Sequence, residues 1–581
     1  MGVKSLMKNY KTSALLSAIV TASLLNTGCV HSNNMPYHQN PGVSQQDVYL
    51  QAKHANPIYK TLLAEMAYNR NQIGVAAALY QELSSTADDP TVSERATEIT
   101  LLTNDITNAL TVATRWSQLA PDNIQPQAIC TILLLKEHQP EASAPYLERI
   151  YTLNQEQTAD YLILIASHLN KEQEQHDLFK AAQIAANALQ QNVNAEFMLA
   201  FSASKLGDFA TANQYIDKAL KTKPDWLQAI VLKTQILLDQ EKIRPAMDYL
   251  ALQLTQQPDN DAIRWMYAEL LRETQQIPAA KAQYQKLATS KLFQQDALVT
   301  LGQLAYDEKD DIKALDYFAQ VIAINPDNDA ANYYLGEINF YQHKLDEALS
   351  WYSQISHENY YVAGHIKIIT ILTEQGHSQA ALQELDHLAG MFLDDAKLIY
   401  LSSAQLMVEN AQSDVALSAI TQGLSQSPDD IDLLYLRGII AADLEKYQQA
   451  EQDLRHVLKL QPDHIPGLNA LGFILINADA HYEEALQYIQ KANTLDPNNA
   501  AILDSLGWVE YHLGQTQTAL MHLQKALSLQ VDPEIAAHLG EVLWSDGQHQ
   551  KAIVLWQTSL KQNPKHQILL ETMRRFNVDI K

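Results

Sequence analysis

A glycine returns along this chain at a nearly constant step. Leu-Gly pairs stand at 301–302, 335–336, 471–472, 506–507 and 539–540, and Gly438 fits the same series. From 302 to 336 and from 438 through 472 and 507 to 540, the steps are 34, 34, 35 and 33 residues. A second marker keeps the same phase: an alanine followed twelve residues later by a proline, at 78/90, 109/121, 212/224, 246/258, 314/326, 416/428, 450/462, 485/497 and 552/564. A period of this length restricts the chain to stacked copies of one small unit. The best-formed copy, 497–529, shows what the unit is. Ile502, Leu506, Val509 and Leu513 fall at helical spacing, Gly514 and Gln515 interrupt the helix, and Ala519, Leu520, Leu523, Ala526 and Leu527 form the apolar face of a second one. Neither helix can bury its stripe alone. Paired, they form a hairpin with one apolar face for itself and one for its neighbour. The glycine and alanine are expected where the two helices cross most closely. The proline is expected between hairpins, where it ends one helix and suits the first turn of the next.

At 581 residues the chain is too long for one compact core. Apolar content is 47%, with 18 glycines and 19 prolines, and strand-type alternation is nearly absent. The expected fold is all-α, a superhelical solenoid of about fifteen helical hairpins with a concave inner face. Divergent repeats are expected over 57–192 and 359–427, and regular ones over 193–358 and 428–563. Within 122–192 and 359–395 the hairpins are placed by helical periodicity alone, and bends are expected there. A capping helix at 564–581 would cover the last hairpin with Ile568, Leu569, Met573 and Phe576.

The first 28 residues read as a leader. Lys4, Lys8 and Lys11 form a basic start, and Ala14 to Leu25 is an apolar core too short to span a membrane. Leu25-Asn26-Thr27-Gly28-Cys29 resembles the lipobox of bacterial lipoproteins, although Asn26 stands where an apolar residue is usual. That resemblance implies lipidation at Cys29 and an outer-membrane destination, since Val30 rather than aspartate follows the cysteine. Residues 29–56 are polar and read as a flexible tether. Cys130 is the only other cysteine, so no disulfide framework is expected. The net charge is −26, and removing the leader takes away three lysines and no acid. A surface this acidic disfavours nucleic acid and anionic lipid and tolerates a basic protein partner.

No motif for catalysis or metal binding is present. The His-Glu-x-x-His, Gly-x-Ser-x-Gly and Gly-x-x-x-x-Gly-Lys signatures are missing, and the 19 histidines are scattered. The expectation is a non-enzymatic chain with no cofactor and no metal. What remains is a binding surface. The period resembles that of the tetratricopeptide repeat, and this resemblance implies that the first helix of each hairpin lines the inner side, at positions set by the repeat glycine. Those positions hold Tyr306, Tyr333, Glu337, Phe340, Tyr341, Tyr435, Asp443, Asn469, Phe473, Asp504, Trp508, Tyr511, His512, Glu541 and Trp544. Large aromatics among acids give contact area and a charge preference. Tyr306, Tyr333, Phe340, Tyr435, Phe473, Asp504, Trp508, Tyr511 and Trp544 are the candidate partner-binding residues. Trp508 and Trp544 are expected to contribute to binding without being needed for folding.

The period and its markers look like the tetratricopeptide repeat. Three stretches, 62–99, 469–520 and 532–564, further resemble the large tetratricopeptide lipoproteins of gammaproteobacteria, in particular the outer-membrane lipoprotein that binds a periplasmic carboxyl-terminal processing protease. The resemblance spans nearly the whole mature chain and is weakest over 122–192 and 359–410. It implies an adaptor that faces the periplasm, touches the membrane only through its lipid, activates the protease and presents cell-wall hydrolases to it. It carries over no residue except Cys29. An assembly scaffold for a pilus, a secretin or a polysaccharide exporter is the alternative.

Overall fold

The computed structural model describes residues 56–153, 157–189, 191–356, 358–479 and 481–578. These form 31 helices in tandem and no strand. The leader, Cys29 and nearly all of the tether lie outside the described residues. The chain divides into two units, Met1–Phe293 and Gln294–Lys581. The described part of the first is seven successive helix pairs, from Pro57–Asn69 with Ile73–Thr86 to Asp261–Glu273 with Ile277–Leu287. The second is eight pairs, from Gln294–Asp307 with Asp311–Ile324 to Pro533–Ser545 with His549–Gln562, closed by the helix Gln567–Arg575. Fifteen pairs and a terminal helix match the sequence expectation. Leu569 and Met573 of that helix are fully buried and Phe576 packs behind them, but Ile568 stays largely exposed.

The repeat glycines do mark the helix crossings. A Cβ on Gly302 would lie 2.7 Å from the Phe318 ring, on Gly336 2.6 Å from Tyr352, and on Gly507 2.6 Å from Leu523. On Gly472 and Gly540 it would overlap Ile489 and Trp556, while Gly438 is looser, 3.0 Å from Leu454. The partner side chain in each case comes from the second helix of the same pair. The alanine marker is buried at Ala212, Ala246, Ala314, Ala416, Ala450, Ala485 and Ala552. Ala78 is only half-buried, and its neighbours Ala76 and Leu79 are fully buried instead. Pro90 opens the helix Pro90–Leu101 as expected, but other prolines of the series differ in detail. Pro224, Pro326 and Pro497 stand in the turn ahead of the next helix, not in its first turn. The helix start is fixed by an N-cap instead: Asn499 Oδ1 accepts from the backbone of Ala501 (3.1 Å) and Ile502 (3.4 Å).

Within a pair the chain reverses through one residue in the left-handed region. Gly514, at φ +78°, donates from its N–H to Tyr511, and Gln515 donates to Glu510, both at 2.9 Å. This pair of bonds satisfies the last carbonyls of the first helix. Lys309, His343 and Glu445 hold the equivalent turns at φ +58° to +61° with a side chain present. Glycine is therefore favoured there but not obligatory. Gly514→Ala is expected to cost about 1 kcal/mol without changing the fold, read as a small shift of the urea midpoint; a loss several times larger would mean the turn needs more than a relaxed φ.

One place breaks the pairing. Glu172–Ala188 packs chiefly along Pro140–Leu153, two helices back, and only weakly on its predecessor Thr158–Ser167. Thr158–Ser167 instead lies against Ile124–Lys136. Both departures fall in 122–192, where the glycine and alanine markers are missing and a regular crossing has no small residue to form around. The cores follow the stack as seams. One runs from Ile124 to Ile236 in the first unit and another from Ile369 to Val509 in the second. Cys130 is fully buried in the first unit, and burial pushes its thiol up to about 11, so it stays protonated. No described helix is long and apolar enough to cross a membrane.

Candidate functional site: the wall of first helices

In the second unit the first helix of each pair touches the first helix of the next at every step. Among second helices only Ser378–Met391 and Ser413–Gln426 do so to a comparable extent. The first helices therefore line the shorter, inner side of this unit. The candidate residues all lie on them, and fall into two clusters with two residues between.

The first cluster is built on Gln294–Asp307, Asp329–Tyr341 and Glu358–Glu374. Tyr306 meets Tyr334 at 5.2 Å between ring centroids, Tyr334 meets Tyr333 at 5.5 Å, and Tyr333 meets Tyr360 at 5.2 Å. Beneath them the buried Glu337 accepts from Tyr352 Oη (2.6 Å) and Tyr306 Oη (3.5 Å), and Lys367 Nζ lies 2.8 Å away. The same ammonium sits over the rings of Phe340 (4.8 Å) and Tyr341 (5.4 Å). Burial, reinforced by Glu337, pushes the Tyr333 phenol up to about 12; burial and Tyr360 do the same for Tyr334. These phenols stay neutral donors at any physiological pH. Tyr341 is 63% exposed and Tyr333 and Phe340 are half-buried, so this cluster presents aromatic surface.

The second cluster joins Ala500–His512 to Pro533–Ser545. Trp508 stacks on His538 at 4.2 Å and meets His512 edge-on at 4.7 Å. His538 Nδ1 is 3.0 Å from both carboxylate oxygens of the buried Asp504. Trp508 is only 9% exposed. Asp504 and Trp508 thus hold one first helix against the next; Tyr511, whose hydroxyl is 2.6 Å from Ser545 Oγ, is half-buried beside them, and His512 is exposed. Trp544 belongs to the cap: it stacks on Trp556 at 5.9 Å and meets Phe576 at 5.5 Å. Tyr435 and Phe473 stand between the clusters, half-buried, with Tyr435 against His464 at 5.4 Å. Among the described residues no ring contact joins either to the clusters on its two sides.

Burial alone would lower the pKa of His538, but the carboxylates of Asp504, Glu534 and Glu541 outweigh it and raise it. A histidine raised on folding contributes stability that is complete below its unfolded value, about 6.5, and is lost as pH rises through the folded value. The stability difference between the chain and a His538→Gln variant is expected to be largest near pH 6 and to shrink as pH rises. A difference constant with pH in urea titrations would show that the imidazole acts only through its shape.

Lys367 and the bond between the buried glutamate and a tyrosine were not read from the spacing. Lys367, the cation under the first cluster, has no position on the glycine lattice. The buried glutamate and its tyrosine did leave a signal. Tyr80 donates to Glu65 (2.6 Å), Tyr284 to Glu269, and Tyr352 to Glu337 (2.6 Å). In each case the acid is on the first helix and the tyrosine fifteen residues later on the second, and the three acids lie whole multiples of 34 apart. Among the described residues no group of three His, Cys, Asp or Glu side chains is placed to hold a metal ion.

Paired helices on a 34-residue period, crossing at small residues and presenting aromatics from one wall, define a helical-repeat solenoid of the kind that binds other proteins. Residues 194–241 match the Fis1 C-terminal tetratricopeptide repeat, and residues 299–358 and 431–464 match tetratricopeptide repeats. The chain belongs to the tetratricopeptide-repeat proteins, in the family of a TPR repeat-containing protein of Pseudomonas aeruginosa, with which it is 30% identical over 531 residues, 90% of each chain. Similar solved structures include a thermophilic TPR protein of Thermus thermophilus, at 23% identity over 31% of this chain and 95% of that one (TM-score 0.28). The Cut9–Hcn1 hetero-tetramer of the APC/C is similar at 14% identity over 92% of this chain and 99% of that one (TM-score 0.33).

Proposed function

We propose that this protein is a scaffold lipoprotein, anchored to the outer membrane through an acylated Cys29 and facing the periplasm. On it a carboxyl-terminal processing protease meets its cell-wall hydrolase substrates. The observation that carries the scaffold reading is the wall of first helices. Its exposed Tyr341 lies against Lys367, which Glu337 holds, and its half-buried Tyr511 is tied to Ser545. A rigid aromatic surface of this kind binds protein at low ordering cost. The protease and its hydrolases rest on the resemblance of 62–99, 469–520 and 532–564 to the adaptor lipoproteins. Holding enzyme and substrate on one chain raises their effective concentration, which is the gain such a scaffold supplies.

The direct test is a pull-down from solubilised envelopes. A processing protease and a cell-wall hydrolase are expected among the specific partners, and the absence of both would remove the adaptor reading. Cys29→Ser is expected to leave the chain soluble or unprocessed; retained acyl labelling and membrane fractionation would overturn the anchor. Tyr341→Ala is expected to weaken capture about tenfold with the melting temperature unchanged.

A further inference from the structure

Five of the joints between hairpins are short and polar, although Leu292 and Val531 are exposed in two others. They read Gln257-Pro258-Asp259-Asn260, Asn325-Pro326-Asp327-Asn328, Ser427-Pro428-Asp429-Asp430, Gln461-Pro462-Asp463-His464 and Asp496-Pro497-Asn498-Asn499. The joint between Ser378–Met391 and Ala396–Glu409 reads Met391-Phe392-Leu393-Asp394-Asp395 instead. Phe392 packs against the core, but the apolar side chains around it are not drawn in. Met391 is 54% exposed, Leu393 74% and Leu398 63%, three large apolar residues within eight positions. Tyr361 from the preceding pair extends the patch, its hydroxyl 3.5 Å from Met391 Sδ. The turn does not call for Leu393, because joints of the same length elsewhere carry polar residues there.

The surroundings of the patch are acidic. From Asp386 to Asp432 the chain carries eight carboxylates, one lysine and no arginine, although Asp414 is met by Lys446 and Asp429 lies 3.0 Å from His456. Asp394 and Asp395 are exposed within the joint itself. Lys397, the lysine, is already held by Asp430 (3.2 Å) and Asp432. We infer that this joint, with Tyr361 and Leu398 on the two first helices beside it, is a second docking surface, apart from the two aromatic clusters, for a protein segment whose apolar side chains are flanked by lysine or arginine. The apolar residues supply the contact area and the surrounding carboxylates select the charge. A second copy of this chain would bring a like-charged patch against it, and an anionic bilayer would be repelled.

The test uses the full mature chain and two fluorescent peptides of equal length, one with leucines flanked by lysines and one with leucines flanked by glutamates, followed by anisotropy. The lysine peptide is expected to bind and the glutamate peptide to bind at least about tenfold more weakly. Leu393→Ser with Leu398→Ser is expected to weaken the lysine peptide by about tenfold, and Asp394→Lys with Asp395→Lys to narrow the difference between the peptides. The charge variant leaves the apolar residues in place, so it stands as the test should the serine variant fold poorly. Failure of the lysine peptide to bind, or equal binding of both peptides, overturns the inference. So does dimerisation in sedimentation that the serine variant abolishes, or pelleting with phosphatidylglycerol vesicles that it abolishes.

Discussion

Trp508→Ala is expected to destabilise the C-terminal pairs by about 3 kcal/mol. The indole is buried in the seam that includes Leu506 and Val509, stacked on His538 and edge-on to His512. Removing it leaves a cavity where two first helices meet. It also strips the apolar cover from one side of the His538–Asp504 pair, a charged contact whose strength depends on exclusion of water. Because each hairpin touches only its neighbours, the loss is local: helices from Ala500 onward should exchange amide hydrogen earlier, while the first unit keeps its protection. Trp508 would then reduce partner binding only by loosening the wall. If the variant melts as the parent does and loses partner affinity alone, the indole faces the partner and its buried placement is wrong.

Gly540→Ala is expected to cost about 2–3 kcal/mol, although it adds a single methyl group. In helix Pro533–Ser545 that methyl would overlap the five-membered ring of Trp556 on the facing helix. Trp556 has no room to retreat. It is fully buried, donates from Nε1 to the Ala537 carbonyl at 3.3 Å, and is backed by Trp544 and Phe576. The same change at Gly390, where a Cβ meets nothing within 4 Å, is expected to be neutral or to gain up to about 0.5–1 kcal/mol from helix propensity. Replacing Trp556 by phenylalanine in the Gly540→Ala background should recover part of the loss, since the smaller ring vacates the overlap. Equal effects at Gly540 and Gly390 in urea unfolding would show that the pair can open at no cost.

The repeat was legible because its causes are local. A pair of helices joined by a short turn needs a small residue at the crossing, and that need recurs at every copy, so Gly302, Gly336, Gly438, Gly472, Gly507 and Gly540 announce it. The candidate site was legible only in outline. The expected inward positions lie on first helices, but Asp504, Trp508 and Glu337 are buried there, Tyr511 is half-buried, and Tyr341 and His512 are exposed. No amphipathic pattern separates them. Ala500–His512 is buried from Ile502 through Glu510, all the way round, so it shows no polar face from which an exposed side could be read.

The sequence by itself determined the all-helical fold, the period, the crossings and the cap, since each depends on contacts within a hairpin or with the next one. Tertiary structure decided which wall residues are open, how Lys367 and His538 meet acids from helices one repeat away, and how Glu172–Ala188 came to pack two helices back. Those outcomes depend on the angle at which one hairpin is laid on the next. That angle is set by the summed packing of whole interfaces, and no single residue type records it.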